Sequence, residues 1–312
     1  MRAKKEPRRH GLLLVDKPSG MTSHDVVAKV RQAAGQKRVG HTGTLDPMAT
    51  GLMAVLLGSA TRLEPWLTKM DKVYSGRIEL GLATDTDDIT GRVLERSSEP
   101  APPEDVLRQA LAEHVGSHDQ RPPAYSAVKV AGRRSHQAAR AGDALELKAR
   151  PVVAHKLTLL AYEPPFLDFR AEVGSGYYIR SLARDLGADL GLGGALAALR
   201  RETVGPWSLD RAVTLEELAA WDEDDWRLKL APPAEALPHL PAATLDEEAA
   251  RRFCQGQRVP APDSRPGGTY KILDRDGSLL GLADCADPPL GESFTPLGPY
   301  LRPLRVFNTP GD

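Results

Sequence analysis

The sequence predicts a mixed α/β protein of the α+β kind, ending in a small β-rich module. Three observations carry that reading. Residues 72–80 alternate apolar and polar positions, the period of a half-buried strand. Residues 22–35 and 179–190 each place apolar side chains on one helical face, with turn chemistry or glycine at the boundaries. From Leu245 onward the composition changes to short apolar runs punctuated by glycine and proline.

A chain of 312 residues has room for one large domain and a small one. Its 41% hydrophobic and 27% charged content is ordinary for a soluble globular protein. No apolar run approaches the length of a bilayer span. The basic first ten residues precede only Gly11 and the short run Leu12–Val15 before Asp16, so there is no secretory leader pattern. Cys254 and Cys285 form neither a CxxC pair nor a zinc ligand set, and a reducing, cytoplasmic setting is expected. Net charge is −1, but it is unevenly spread: residues 1–40 hold ten Lys/Arg against three Asp/Glu, residues 121–156 eight against two, and residues 208–250 three against eleven. Such a chain can meet a polyanion through one face, although basic clusters are also simply solvated surface.

The elements follow in order. Gly11–Val15 is a short buried strand, broken by the turn residues Asp16–Gly20. Thr22 or Ser23 caps a helix running to about Ala34, with Val26, Val27 and Val30 on its apolar face and Gly35 as its stop. Lys17 stands in the turn, either as an ordinary surface lysine or as support for a site on that edge. Residues 38–51 form a sharply turning loop, and Leu52–Leu57 a buried element. A short helix at 60–67 leads to the strand 72–80. Residues 84–91 are an acidic, solvated turn that lacks the glutamate of a calcium loop. After a connector at 97–103 come a helix at 104–115, a strand ending near Val130 with Gly132-Arg133-Arg134 as its turn, and a short helix from His136 to Ala141. Paired strands at 152–162 and 166–173, a helix from about 179, a strand at 195–204 and an acidic helical segment at 214–239 complete the large domain. The terminal module has a helix at 246–253 and strands near 270–273, 279–283 and 301–307, with Asp276-Gly277 as a hairpin turn.

Two stretches can carry chemistry. In Gly40-His41-Thr42-Gly43-Thr44-Leu45-Asp46-Pro47-Met48-Ala49-Thr50-Gly51, a polar loop bearing His41 and Asp46 is anchored directly to the core. An aspartate before proline is more often a turn-former than a reagent. In Gly174-Ser175-Gly176-Tyr177-Tyr178-Ile179-Arg180-Ser181-Leu182, a strand gives way to a helix, and Tyr178 and Arg180 flank a buried isoleucine. Arg180 there is either a surface residue or a fixed fork for a carboxylate or phosphate.

These two stretches resemble signatures of the TruB family of tRNA pseudouridine synthases. So do Leu14–Ser23, Asp71-Lys72-Val73-Tyr74 and Pro123-Ala124-Tyr125-Ser126-Ala127-Val128-Lys129, and the motifs occur in family order over residues 11–205. Tyr177 departs from the pattern, which has a small Thr or Ser there. The resemblance implies a pseudouridine synthase fold, with a mixed, mostly antiparallel sheet flanked by helices. The catalytic domain would span residues 11–239, after a basic tail at 1–10, and a PUA-like RNA-binding barrel would span 240–312. It implies conversion of uridine to pseudouridine at position 55 in the T loop of tRNA, with no cofactor or metal, by a monomer that needs no protein partner. It implies Asp46 as nucleophile, Arg180 as its counter-ion, and Tyr74 stacked on the uracil and able to take the C5 proton. Tyr178 and Leu199 would line the pocket, and His41 would fill the stack left by the flipped base. Lys17, Arg38 and the basic 121–140 region would contact phosphates.

Other readings remain open from the residues alone. A non-catalytic tRNA-binding or folding chaperone would explain the basic segments. A glycosidase needs a second facing carboxylate, and none stands out. A guide-RNA-dependent synthase is disfavoured by the bacterial-type motifs and the lack of a Lys-rich tail.

Overall fold

The computed structural model describes residues 9–126, 129–130, 133–135, 147–261, 267–287 and 298–307. The strands are β1 (Gly11–Lys17), β2 (Val39–His41), β3 (Thr50–Leu57), β4 (Lys72–Leu80), β5 (Leu82–Thr84), β6 (Val93–Arg96), β7 (Gly116–Gln120), β8 (Lys129–Val130), β9 (Arg133–Arg134), β10 (Arg150–Glu163), β11 (Phe166–Val173), β12 (Gly194–Val204), β13 (Trp207–Ser208), β14 (Val213–Thr214), β15 (Ala242–Thr244), β16 (Val259–Pro260), β17 (Thr269–Leu273), β18 (Leu279–Ala286) and β19 (Tyr300–Val306). The α-helices are α1 (Ser23–Ala34), α2 (Glu64–Leu67), α3 (Glu104–Glu113), α4 (Ile179–Asp189), α5 (Leu215–Ala219), α6 (Glu223–Lys229) and α7 (Glu247–Cys254).

The apolar run Leu52–Leu57 explains the layering. Met53, Val55 and Leu57 point into one core, and Leu52, Ala54 and Leu56 into another, so β3 is buried on both faces and its sequence has no reason to alternate. β1 divides its side chains the same way, Leu13 and Val15 to one side and Leu12 and Leu14 to the other. These strands sit in a ten-stranded sheet of order β14-β1-β3-β12-β4-β11-β10-β7, with β2 on β3 and β13 on β12. The pairs β1–β14 and β3–β12 are parallel and the other pairs of this sheet antiparallel, as the mixed-sheet expectation required.

Helices cover the first face. α1 presents Val26, Val27 and Val30, and α4 presents Ile179, Leu182, Ala183 and Leu186. α1 begins and ends where its sequence says it should. Thr22 and Asp25 form a reciprocal capping box, and Gly35 takes the left-handed conformation at φ 60°. The second face is covered near β1 and β3 by the C-terminal sheet, of order β15-β17-β18-β19-β16, whose Leu279, Leu282 and Phe307 join Leu12, Leu14 and Leu52 in one cluster.

Some details differ from the sequence expectations. The ends of the 38–51 loop are strand, because β2 pairs with β3 from Val39–Leu57 to His41–Val55. Arg133-Arg134 form β9, paired with β8, rather than a turn. The expected helix 136–141 lies outside the described residues. The short strands β6, β7, β15 and β16 were not foreseen. β7 reads Gly-Ser-His-Asp-Gln and carries almost no apolar signal.

The crossing of β3 and β12 sets the tightest backbone approach near the loop. Gly51 has φ 102°, and a Cβ there would lie 2.3 Å from the carbonyl oxygen of Arg201 and 2.7 Å from its nitrogen. We expect Gly51→Ala to lower stability by about 3 kcal/mol. Urea unfolding checks this, and an unchanged midpoint would mean the two strands separate at little cost.

Candidate active site

The loop joining β2 to β3 is held by its backbone carbonyls. The Lys17 ammonium donates to Pro18 O at 2.9 Å, Pro47 O at 3.2 Å and Ala49 O at 2.6 Å. Gly20 N donates to Pro47 O at 2.8 Å, and the Ser19 hydroxyl donates to Met48 O at 3.2 Å. Ser23 Oγ donates to Leu45 O at 3.0 Å and accepts from Leu45 N at 2.8 Å. From the other side Arg201 donates to Leu52 O at 2.7 Å and Gly43 O at 3.1 Å. The turn after β1 and the start of α1 therefore act as a clamp on the segment around Asp46. Lys17 is fully buried by this work. The expectation that it contacts phosphate is corrected: its stem lies along the end of β1, and its charge is consumed by carbonyls that otherwise have too few donors.

Asp46 meets Arg180 in a two-pronged ion pair. Nε lies 2.8 Å from Oδ2, and the second guanidinium nitrogen, NH2, 3.1 Å from Oδ1. The remaining donors of Arg180 reach Thr86 O at 2.8 Å and Tyr125 O at 2.9 Å, and Asp88 Oδ2 lies 3.8 Å away. The arginine side chain is only 6% exposed, whereas that of Asp46 is 33% exposed. The pair is thus one-sided, with a buried, fully engaged cation and a carboxylate that still faces solvent. α4 delivers Arg180 because its apolar stripe fixes the helix on the sheet and its first turn lies beside the loop.

The acidic segment 84–91 is not the solvated turn expected. Thr84 and Asp88 are buried. Leu196 N donates to Asp87 O at 3.0 Å and Ile89 N to Leu196 O at 3.0 Å, so β12 holds the turn's backbone. Asp88 Oδ1 accepts from Thr86 Oγ1, Thr90 N and Thr90 Oγ1 at 2.9, 2.9 and 2.5 Å, which aims its other oxygen at Arg180. Asp87, at φ 61°, accepts from Arg184 at 3.0 Å. Burial raises its carboxyl above the usual carboxylate range, and Arg184 and Arg180 oppose that. The partners of this turn lie on α4, about a hundred residues away in sequence, so local pattern alone could not reveal them.

The other candidates fall around the same edge of the sheet. Tyr74 is buried on β4 opposite Arg201 of β12, which in turn stands opposite Gly51 at the start of β3. Adjacent strands lie about 4.8 Å apart, which puts Tyr74 two strands from the end of the Asp46 loop, roughly 10 Å away. Leu199 stands opposite Gly76 and packs in the same cluster as Tyr74, Leu45 and Ala49. Tyr178 is the N-cap of α4, and burial raises its phenol. Gln120, missed in the sequence, clamps it: Gln120 Nε2 donates to Tyr178 O at 3.1 Å, and Tyr178 N donates to Gln120 Oε1 at 2.9 Å. Tyr177 stands edge-on to His118 at 5.7 Å, with its hydroxyl buried and unpartnered among the described residues. His41 accepts the Gly43 N–H at Nδ1 (3.2 Å), and burial, then His24 and Arg201, lowers its basicity. Arg38 is exposed at the outer end of the loop and donates to Thr61 Oγ1 at 3.0 Å. The structure therefore joins Arg180 directly to Asp46, brings Tyr74, Leu199 and Tyr178 onto neighbouring elements, and removes Lys17 from the surface. Among the described residues there is no cluster of His, Cys, Asp or Glu that could hold a metal ion.

Residues 31–179 match the TruB family pseudouridylate synthase (N terminal domain), residues 180–237 the tRNA pseudouridylate synthase B C-terminal domain, and residues 241–289 the C-terminal domain of pseudouridine synthase II TruB. A tRNA pseudouridine synthase B of Thermobifida fusca is 46% identical over 88% of this chain and 94% of its own length. One of Arthrobacter sp. is 41% identical over 95% and 96%. Among solved structures, a Cbf5-Nop10-Gar1 complex contains a chain that is 27% identical, with a TM-score of 0.73 over 96% of this chain and 85% of that one.

The clamp has a pH signature. Burial, opposed by Asp46 and reinforced by Arg201, pushes the Lys17 ammonium down from near 10.5 to about 8. The folded protein releases that proton before the unfolded chain does, so this group adds stability as pH rises from about 8 to about 10.5 and loses it as pH falls back through 8. We expect the stability difference between the wild type and Lys17→Met to move in favour of the wild type by about 3 kcal/mol across that window. Paired urea titrations at several pH values measure it, and a flat difference would place the lysine proton in an ordinary environment.

Proposed function

The chain belongs to the TruB family of pseudouridylate synthases, and from that premise we propose that it converts uridine to pseudouridine at position 55 in the T loop of tRNA, with Asp46 as the nucleophile. The observation that carries the assignment is the Asp46–Arg180 pair, in which a buried arginine holds a carboxylate whose outer side is open.

The reaction exchanges one bond for another. The N1–C1′ glycosidic bond breaks, the detached uracil turns, a C5–C1′ bond forms, and C5 gives up its proton while N1 ends with one. Atoms and electrons balance without an external reagent. Covalent participation by a carboxylate divides this exchange into smaller steps and keeps the base from escaping. Arg180 cannot lose its charge and is anchored by two backbone carbonyls, so it fixes the direction from which Asp46 attacks. Tyr74 would stack on the uracil and take the C5 proton, and Leu199 and Tyr178 would bound the base.

The target must leave the base stack to reach Asp46. In this reading the neutral ring of His41 takes its place. The phosphate contacts come from Arg38 and the basic 121–140 region, of whose basic side chains only Arg121 lies among the described residues, and Lys17 supports them only by holding the loop. Residues 240–312 act as a second RNA-contacting body. The similarity along almost the whole chain to tRNA pseudouridine synthase B proteins, greater than that to the chain of the Cbf5-Nop10-Gar1 complex, supports an enzyme that works as a monomer without a guide RNA or protein partner. Both cysteines are unpaired, which suits the cytoplasm, and no described helix is long and apolar enough to cross a membrane.

The test is conversion of an isolated T-arm stem-loop. We expect wild-type protein to form pseudouridine at the T-loop uridine, and Asp46→Asn to lose at least about a thousandfold in rate while binding the RNA within a few-fold of wild type. Arg180→Lys, which keeps charge but loses the fork, should lose about a hundredfold. Binding without conversion by the wild type would instead identify a non-catalytic RNA-binding protein.

A further inference from the structure

We propose that His24 is a second RNA-contacting side chain, which works beside His41 and donates a hydrogen bond to the sugar–phosphate backbone at a phosphate flanking the flipped nucleotide. The inference rests on the tRNA reading above and assigns work to a residue that reading leaves idle.

Three observations place His24. It is the second residue of α1 and is exposed, so no packing requirement accounts for it. The residue before it, Ser23, exchanges hydrogen bonds in both directions with Leu45, the residue before Asp46. Two consecutive residues on each strand of chain are thereby brought side by side, and His24 cannot drift from the Asp46 loop without breaking a buried pair of bonds. Finally, the His24 and His41 rings stand edge to face, with centroids 5.9 Å apart and planes at 84°.

The right angle decides the division of labour. His41 has little freedom, because its Nδ1 accepts from Gly43 N–H and its ring is partly buried. A ring filling the gap left by an extruded base must lie parallel to the neighbouring bases. If His41 does so, His24 lies perpendicular to the stack. It then cannot stack on a base, but its edge, which carries an N–H donor, meets the side of the stack where the ribose and phosphate run. Phosphate oxygens receive most protein–nucleic-acid hydrogen bonds and set register rather than sequence. A donor fixed to the frame of the catalytic loop would thus register the opened backbone against Asp46.

The experiment uses the full-length protein and a T-arm stem-loop, with three variants: His24→Ala, His24→Phe, which keeps an aromatic ring without the donor, and His24→Asn, which keeps a donor without the ring. The expected result is that His24→Ala and His24→Phe each raise KM by about three- to tenfold, the worth of one hydrogen bond, with kcat within about twofold of wild type. His24→Asn should recover part of the loss. Substituting a methylphosphonate at either phosphate flanking the target uridine should weaken the wild type by a similar factor at one of the two positions and weaken His24→Ala no further there. Urea midpoints serve as the control, since loss of an exposed side chain should leave them unchanged. A KM for His24→Ala equal to that of wild type, full rescue by His24→Phe, or additive losses with the methylphosphonate would overturn the inference while leaving the synthase reading intact. Failure of the wild type to convert the stem-loop would overturn both.

Discussion

The constraint on which the site depends is the cost of burying Arg180. A guanidinium taken out of water must have its charge and its N–H groups met, or the desolvation is unrecovered. Here the partners come from separate stretches of chain: Asp46 from the β2–β3 loop, Thr86 and Asp88 from the turn after β5, and Tyr125 from the segment after β7. None of these segments can move without leaving a buried cation short of a partner. The arginine therefore does more than accompany Asp46. It couples the position of the Asp46 carboxylate to two otherwise independent segments of chain. Because Asp46 keeps an open side while its counter-ion does not, the pair presents its carboxylate outward.

The loop around Asp46 shows the complementary strategy. A segment so rich in glycine and threonine has a high conformational entropy when free. It is held by satisfying its carbonyls from outside, with Lys17, Ser19, Gly20 and Ser23 on one flank and Arg201 on the other. Two buried cations, Lys17 and Arg201, thus work on backbone oxygens alone. This is preorganisation of the kind that catalysis requires, since a carboxylate that must find its geometry during the reaction loses the advantage of proximity.

Much of this was legible before the coordinates. The period of two in residues 72–80 gave β4 its full extent, and the cap signals at Thr22 and Gly35 gave α1 its ends, because both depend on neighbours in sequence. The long apolar run of β3 announced a buried element, and the structure buries it on both faces. The roles of Asp46 and Arg180 were suggested by resemblance, and their contact is a fact of the structure. What could not be read depends on partners distant in the chain. The acidic turn at 84–91 looks solvated because nothing local neutralises it, yet Arg180 and Arg184 do so from α4. Lys17 reads either as a surface lysine in a turn or as support for a site on that edge, and only the fold brings three carbonyls to it. Gln120 carries no signal at all on a strand with hardly an apolar residue, since its work is to clamp a backbone 58 positions away.

The apolar seam between the two sheets bears on how the parts of the molecule can be studied. Leu279, Leu282 and Phe307 complete the cluster begun by Leu12, Leu14, Leu52 and Leu56, and Arg62 donates to Val306 O across the same boundary at 3.1 Å. β1 and β3, which are sealed by that seam on one side, are also the strands that frame the Asp46 loop. Excising the C-terminal segment would leave a broad leucine surface in water, directly behind the strands that hold the Asp46 loop. A shortened protein would then fail through self-association and a loosened sheet, whatever its lost segment contributes to holding RNA. In this fold, shortening the chain and removing a contact are different perturbations, and only point changes on the outer face of the small sheet separate them.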